Sequence, residues 1–503
     1  MSHSIDYSDK EKEGAPVPEA SAEVALDEVY VKRFGRFGPF LARLFASGVE
    51  ARGVERVPED ERETRNLWNN LFMWWSVNAV LTTIPIGTLG QTFFSLSLPH
   101  AVATIMCFAA LGALPTAFIS TLGPKTGLRT MIITRFSSGY VGGTIYSILN
   151  ILTQLGFSVT AVILGGQTLA SVNPGTLPLV VGIIIIGILS LIPCFVGYNY
   201  VHYYERYAWI VVFLIIMFLW GLGGAAGFVI LKDIEPSGRD LSAGILSFGG
   251  IVFGSVTGWA PIAADYNCRL PPNISSTKIF LLTFFGLWIP ISFVEILEPP
   301  YVEAYANGST GGLIAQVFAP WGGFGKFLLV LLGLSVVANN IPNTYSAALA
   351  MQSLGRPFAL IPRFVWTFLA FVIYTVAGVA GREHFSEILS NFLSILSYWT
   401  AFFVVVVAEE HFIFRRPGGP LGGYNLDDWD TPGRLPLGFA GVLAACFGVA
   451  GAVVGMAEVW YTGPLGLKAG GEAGTDLGFE LAAIFAAVTF PPLRWLEIRL
   501  TGR

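Results

Sequence analysis

Charge is what this 503-residue sequence has least of. Asp, Glu, Lys and Arg make up 13% of it, about half the share of an ordinary soluble domain, while 53% is hydrophobic. The deficit is uneven: residues 1–69 hold 24 of the 63 charged side chains, leaving 39 for the other 434 residues. No Asp, Glu, Lys or Arg lies between Arg65 and Lys125, or between Arg135 and Glu205. The second gap is 69 residues long, room for two membrane crossings of roughly 20 residues and a turn. A soluble globular fold is excluded. The four cysteines, Cys107, Cys194, Cys268 and Cys446, are too scattered for a zinc or redox motif or a disulfide framework, and act as small hydrophobes. The five histidines are dispersed, with no metal spacing and no nucleophile–base pair, which disfavours an enzyme. A net charge of −5 without a basic patch gives no sign of nucleic-acid binding. No apolar segment precedes residue 67, so no cleavable signal is expected. What is left is an all-α polytopic membrane protein.

Uncharged apolar runs predict twelve transmembrane helices, at about 67–93, 101–122, 138–169, 179–197, 207–231, 244–264, 279–297, 327–352, 364–380, 387–408, 437–457 and 477–493. Lys and Arg in the loops set the orientation. With a cytoplasmic N-terminus, inside segments carry 24 basic residues and outside loops 5; trimming the tail to Arg52, Arg56, Arg62 and Arg65 still leaves 18 to 5. Both termini are therefore expected inside. The expected organisation is a mostly disordered tail at 1–66, a ten-helix core at 67–408, a cytoplasmic loop at 409–436, two peripheral helices at 437–493 and a cytoplasmic end at 494–503. Within the tail, 27–48 spaces apolar residues at 3 or 4 among Lys32, Arg33, Arg36 and Arg43. That pattern fits an amphipathic helix on the inner membrane surface or a solvated segment. Of two N-glycosylation triplets, the one at Asn307 falls outside and the one at Asn273 inside.

Two spans carry Gly and Pro near their middles. The first reads Thr82-Thr83-Ile84-Pro85-Ile86-Gly87, and the sixth runs from Gly249-Gly250 through Gly254 to Gly258-Trp259-Ala260-Pro261. Broken helices at matching positions one and six point to a substrate site between five-helix inverted repeats; the plain alternative is the high glycine content of membrane helices. The eighth span places Asn339, Asn340 and Asn343 around Pro342 inside a long uncharged run. An unpaired amide in hydrocarbon costs several kcal/mol, so three of them suggest a polar cavity suited to a flat neutral ligand, with interhelical bonding as the alternative. Intramembrane acids are few. Glu205 opens the fifth span, Asp265 ends the sixth, Glu295 and Glu298 close the seventh, Glu409 and Glu410 the tenth, and Glu458 the eleventh. Most read as interfacial, solvated carboxylates; Glu205, if buried, is the first candidate for carrying a proton, with Arg206 as a simple pairing partner instead.

Leu67-Trp68-Asn69-Asn70, Met73 through Asn78, Gly123 through Arg129, Tyr204-Glu205-Arg206, Gly258 through Pro261, Ala264 through Asn267, Ala338 through Asn343, and Glu409 through Phe412 occur in one order along about 350 residues. In this set the sequence resembles the fungal purine–cytosine permeases of the nucleobase:cation symporter family. The resemblance implies a twelve-helix, LeuT-like transporter, a 5+5 inverted repeat with two extra C-terminal helices, that moves a purine base or cytosine with a proton across the plasma membrane. It assigns Trp259 to stacking on the base, Asn339, Asn340 and Asn343 to binding or shaping the site, Thr82 and Thr83 to the first-helix break, and Glu205 to transport. No cofactor besides the proton is implied.

The third span departs from the family pattern, which has Trp followed four residues later by Asn or Gln. Here the aromatic is Phe157 and the amide position is Ala161. Losing a paired polar contact alters selectivity more than losing a methylene, so a pyridoxine-like heteroaromatic is an alternative substrate. The expected site has the ligand between Phe157 and Trp259, fixed by the Asn cluster, with Glu205 or Asp265 taking the proton and Pro85, Gly87, Gly258, Pro261 and Pro342 marking the helix breaks. A ligand sensor that does not transport is the rival from another class.

Overall fold

Lipid offers no hydrogen-bond partners, so a chain crossing it satisfies its backbone internally, and helices do this residue by residue. Each of the twelve apolar runs is helical in the computed structural model, which describes residues 53–62, 66–196, 198–226, 237–296, 302–470 and 474–503. The 27–48 segment lies outside the described residues, as does the Glu205 side chain. The first run is split into α1 (Trp68–Asn78) and α2 (Ile84–Thr92). Then follow α3 (Leu98–Ser120), α4 (Arg135–Val172), α5 (Leu179–Val196), α6 (Tyr198–Ala226), α7 (Arg239–Thr257) and α8 (Ser276–Glu295). The second half has α9 (Val302–Phe318), α10 (Gly322–Ser353), α11 (Arg363–Gly381), α12 (Phe385–Glu409), α13 (Phe439–Gly455) and α14 (Gly478–Thr501). Among the described residues, eight helices are long and apolar enough to cross a membrane, and three shorter apolar ones fall in α5, α6 and α13. With the split first run, these make up the twelve.

Three features differ from the expectations. The helix α9 occupies what reads as an outside loop; Glu303 and three glycines keep its apolarity below that of a span. The sixth run does not break at its glycine-rich middle. Gly249, Gly250 and Gly254 stay helical, and a Cβ on Gly254 would sit 2.3 Å from the Leu393 carbonyl oxygen, so glycine there permits close approach of α12. The helix ends at Gly258 and gives way to a 3-10 turn at Ala260–Ile262 that contains Pro261. Pro342 does not break the eighth span either, since α10 runs through it.

The helices assemble around α3, α4 and α10. α10 and α5 pack along α4, α7 and α8 pack on α3, and α1 packs on α8. α13 and α14 pair with each other and lean on α12. The outward faces stay apolar, with Leu152, Ile192, Leu214, Val376 and Val488 among the exposed side chains, as a lipid-facing surface requires.

The peripheral pair is fastened at both ends by ionisable groups that read from sequence as interfacial. At one end Arg494 is fully buried and donates to both Glu410 carboxylate oxygens, at 2.9 and 3.1 Å, and to Glu497 at 2.9 Å. Arg415 reaches the same Glu410 at 2.7 Å. Glu497 also accepts from the Gly438 N–H at 2.6 Å, at the start of α13. At the other end, the hairpin of β1 (Ala457–Glu458) and β2 (Tyr461–Thr462) brings Glu458 onto the Tyr398 hydroxyl at 2.8 Å, while Asp476 meets the same hydroxyl at 2.6 Å. One phenolic hydrogen serves one carboxylate at a time, so the second contact needs a proton on an acid. Burial pushes Glu458 up to about 7 and Asp476 up to about 6.

Arg494→Met is expected to destabilise the protein by about 3–5 kcal/mol, because it leaves buried Glu497 without a cation and Glu410 with Arg415 alone; thermal unfolding of the detergent-solubilised protein measures it. The Tyr398 cluster sets a pH dependence. Both acids hold protons more tightly folded than unfolded, so their stabilisation is complete below the unfolded values near pH 4. It is lost as pH rises through about 6 and 7. Unfolding temperature is expected to fall across that window, and Glu458→Gln with Asp476→Asn is expected to flatten it.

Candidate substrate site

The break in the first span includes Thr82 and Thr83, which sequence marked, and ends before Pro85 and Gly87. α1 ends at Asn78, the chain runs extended through Val80 at φ −138 and ψ 167, and a 3-10 turn at Leu81–Thr83 leads into α2. Pro85 lies in the first turn of α2, where a missing N–H costs nothing, and Gly87 lies inside the helix. A Cβ on Gly87 would fall 1.6 Å from the Glu295 carbonyl oxygen, so only glycine lets α2 lie this close to the end of α8.

A helix interrupted inside a bundle leaves backbone groups that need new partners. Three are met by side chains. The Asn339 amide donates to the Val77 carbonyl at 2.6 Å, the Leu81 N–H donates to the Ser335 hydroxyl at 3.1 Å, and the Thr83 hydroxyl donates to the Asn78 carbonyl at 2.7 Å. Ser335 and Asn339 are four residues apart on α10 and so share one face. They grip the break from both sides.

The break is also tied to the end of α7. Asn78 donates its amide to the Trp74 carbonyl at 2.8 Å and accepts from the Trp259 indole N–H at 2.9 Å. The Trp259 ring lies parallel to Phe157 of α4, with centroids 5.7 Å apart and planes 6° from parallel. Phe392 of α12 meets Phe157 edge-on at 5.1 Å. Around these rings is a closed cavity of about 30 Å3, lined on its polar side by Asn78, Thr82, Thr83, Thr160, Ser255, Glu295 and Asn339. Its apolar side is Ile86, Phe157, Trp259, Ile291, Leu389 and Leu393. Two rings sandwiching a third need about 7 Å between their planes, two contacts of about 3.5 Å each. The cavity of about 30 Å3 and the ring pair as they stand leave no room for a flat ring between Phe157 and Trp259.

Of the residues marked in the sequence, Phe157, Trp259, Asn339, Thr82 and Thr83 are brought together on this cavity. Asn343 is buried one turn away and donates to the Asn339 amide oxygen at 3.2 Å, while Asn340 is buried beside Tyr374 of α11; neither lines the cavity. Asp265 lies apart from it. Its carboxylate accepts from the Thr130 N–H at 2.7 Å and its carbonyl from the Arg129 guanidinium at 2.8 Å, joining the segment after α7 to the segment before α4. Burial raises the Asp265 carboxyl to about 6, with Arg129 and Thr130 opposing. Sequence reading missed Asn78, Ser255 and Glu295. The legible signal for Glu295 is its spacing of four from Ile291, which puts both on one face of α8.

An open depression of about 550 Å3 is lined by other residues of α12, Ser390, Asn391 and Ser394, together with Phe93, Phe94, Glu458 and Asp476, among others.

Residues 56–463 match the model of a family described as permease for cytosine/purines, uracil, thiamine, allantoin. A purine-cytosine permease of Emericella nidulans is 39% identical, with 90% of each chain covered. A vitamin B6 transporter of Saccharomyces cerevisiae is 31% identical over 91% of this chain and 89% of its own. Among solved structures, a nucleobase-cation-symport-1 family transporter, Mhp1, in a closed conformation with bromovinylhydantoin bound, has a TM-score of 0.65 at 14% identity. It covers 90% of this chain and 96% of that one, and shares the LeuT-like architecture.

Ser335→Ala and Asn339→Ala each leave a buried backbone group unsatisfied and are expected to cost about 1–3 kcal/mol of stability. Because both serve one break, their double mutant is expected to deviate from additivity; thermal unfolding of the three variants tests this.

Proposed function

The chain belongs to the permease family for cytosine/purines, uracil, thiamine and allantoin, and from that premise we propose that it takes up a purine base or cytosine together with a proton, by alternating access. The observation that carries this reading is the parallel pair Phe157 and Trp259 where the interrupted first span meets the end of α7, next to hydroxyl and amide groups. A base offers a π face to the rings and mixed donors and acceptors at its edge. Stacking tolerates ring identity, while Thr82, Thr83, Ser255 and Asn339 supply the edge contacts. Asn340 and Asn343 act by shaping α10 around that edge. Rocking of the helix repeats about the cavity would expose it to each side in turn.

In this reading the protein is a multi-pass protein of the plasma membrane with both termini in the cytoplasm, a ten-helix core at 67–408 and two flanking helices. The proton is the coupling ion, and no other cofactor is needed. Glu205 on α6 and Asp265 after α7 are the acids marked by family resemblance and sequence for this coupling. Asp265, already engaged by Thr130, fits a closing contact at the end of the bundle as well as a proton site.

A second substrate reading has its own observation. Ala161 stands where the family carries an amide, and the cavity takes Thr160 from that helix instead. A hydroxyl in place of an amide, with a vitamin B6 transporter among the relatives, favours a pyridoxine-like ring as the alternative.

Competition of purines, pyrimidines and B-vitamins against labelled cytosine uptake separates the two. Trp259→Ala is expected to raise the apparent KM of the preferred ligand by roughly 5- to 150-fold, the equivalent of about 1–3 kcal/mol of lost stacking. Unchanged uptake of every heteroaromatic in this variant overturns the site. Uptake indifferent to external pH and to protonophore overturns the coupling.

A further inference from the structure

Among the described residues lining the small cavity, Glu295 is the single ionisable one. It ends α8, is 1% exposed, and its Oε2 meets no hydrogen-bond partner. Its Oε1 lies 3.2 Å from Ser255 Oγ, and that same hydroxyl lies 2.8 Å from the Val252 carbonyl oxygen. A serine hydroxyl has one hydrogen. With that hydrogen on the nearer Val252 oxygen, the contact to Glu295 is filled only from the carboxyl side. The geometry thus suits a carboxylic acid better than a carboxylate.

The surroundings agree. The other lining groups are neutral amides, hydroxyls, aromatic rings and aliphatic side chains. α6, which packs on Phe293, carries Glu205 and Arg206 near its start, and Glu298 follows α8; these three side chains lie outside the described residues. The other elements packed on Glu295 carry their charges toward their ends. α1 and α2 have none, α3 has only His100 at its start, and α7 has only Arg239 and Asp240 at its start. α12 has Glu387 in its first turn and Glu409 at its end, and on α8 itself Lys278 lies near the opposite end. α4 brings Arg135, which is engaged with Asp430, and α10 brings Lys326, which is engaged with Asn173. Among the described residues no cation is bonded to the acid, and an unpaired carboxylate in such a place is costly.

Position adds a mechanical link. The Glu295 backbone touches α2 at Gly87, its side chain touches α7 through Ser255, and the cavity it lines is bounded by both helix breaks. Movement of the broken helices relative to α8 changes the wetting of this one acid.

We propose that Glu295 is the proton-binding group of the substrate cavity. It takes up the coupling proton at its free oxygen when the cavity is open to one side, keeps it through the closed state, and releases it when the cavity opens to the other. This rests on the reading of the protein as a proton-coupled permease of heteroaromatic bases and adds the residue that carries the proton.

The test uses the full chain reconstituted in vesicles, with labelled cytosine and labelled pyridoxine as probes, measuring exchange without a gradient and accumulation under an imposed pH difference. The wild type is expected to accumulate the transported probe about ten-fold per pH unit, for one proton per base. Glu295→Gln, which keeps shape and a hydrogen-bonding edge, is expected to retain exchange and to lose accumulation and its pH dependence. Glu295→Gln that accumulates like the wild type overturns this proposal and leaves the permease reading intact. A wild type that exchanges a probe but never accumulates it with the pH difference overturns proton coupling itself. If Glu295→Gln exchanges neither probe, Ser255→Ala decides: a shifted pH midpoint of coupled uptake supports the proposal, and an unmoved midpoint overturns it.

Discussion

The grip of α10 on the interrupted first span is the constraint from which the rest of the centre follows. Breaking a helix in a water-poor bundle exposes polar groups that cost several kcal/mol each if left unpaired. Here Ser335 and Asn339 take two of them and Thr83 a third. With the backbone so held, the end of α1 is fixed, and Asn78 is aimed at Trp259 across the second break. That bond orients the indole, and the indole in turn meets Phe157. The order of causes runs from α10 to α1, from α1 to the end of α7, and from there to the aromatic pair.

The strengths of these links differ. The clamp consists of hydrogen bonds whose loss strands buried groups, at about 1–3 kcal/mol each. The stack of Phe157 on Trp259 is worth only about 0.5–1.5 kcal/mol beyond area burial, and a ligand ring inserted between the two replaces it with two new stacks. Parting Phe157 from Trp259 therefore costs less than undoing the break. Charge elsewhere follows the same economy. The Arg494 cluster and the Tyr398 cluster lie at the two ends of α14 and fasten the peripheral helices, and Asp265 with Arg129 fastens the segments that follow α7 and precede α4. The centre is left to neutral groups and one acid.

Much of this is legible in the sequence, for identifiable reasons. Span positions are carried by long uncharged runs, and α1 through α14 fall on them apart from α9, whose glycines and Glu303 dilute its apolarity. The aromatic and amide components, Phe157, Trp259 and Asn339, stand out because polar or ring-bearing residues in an apolar run need a reason. What pattern cannot carry is direction and register. Gly249 and Gly254 look like a break but serve close packing, and Pro342 looks like a break but is absorbed by α10. Asn339 and Asn340 are neighbours in sequence yet point about 100° apart around a helix, so one lines the cavity and the other does not. Glu295 and Glu458 read as interfacial because both end apolar runs; their burial comes from α7 and α2 in one case and from Tyr398 in the other, contacts distant in sequence.

The amide cluster also acquires a different meaning once its partners are known. Asn339 spends one amide hydrogen on Val77, and its oxygen receives Asn343, so only part of its hydrogen-bonding capacity faces the cavity. Asn78 is likewise committed on both atoms. Of the lining hydroxyls, Thr160 and Ser255 already donate to the Phe157 and Val252 carbonyls at 2.9 and 2.8 Å, and meet a ligand edge with their oxygen lone pairs or with a hydrogen swung away from those carbonyls. A site that fixes orientation by committed amides and reads the ligand by rotatable hydroxyls discriminates less sharply than one with a dedicated amide opposite the ring, because no single buried group is stranded when an edge atom changes. For the proposed substrate site, the replacement of that amide by Ala161, beside Thr160, is expected to shift selectivity away from one fixed donor–acceptor pattern and toward ring size and stacking.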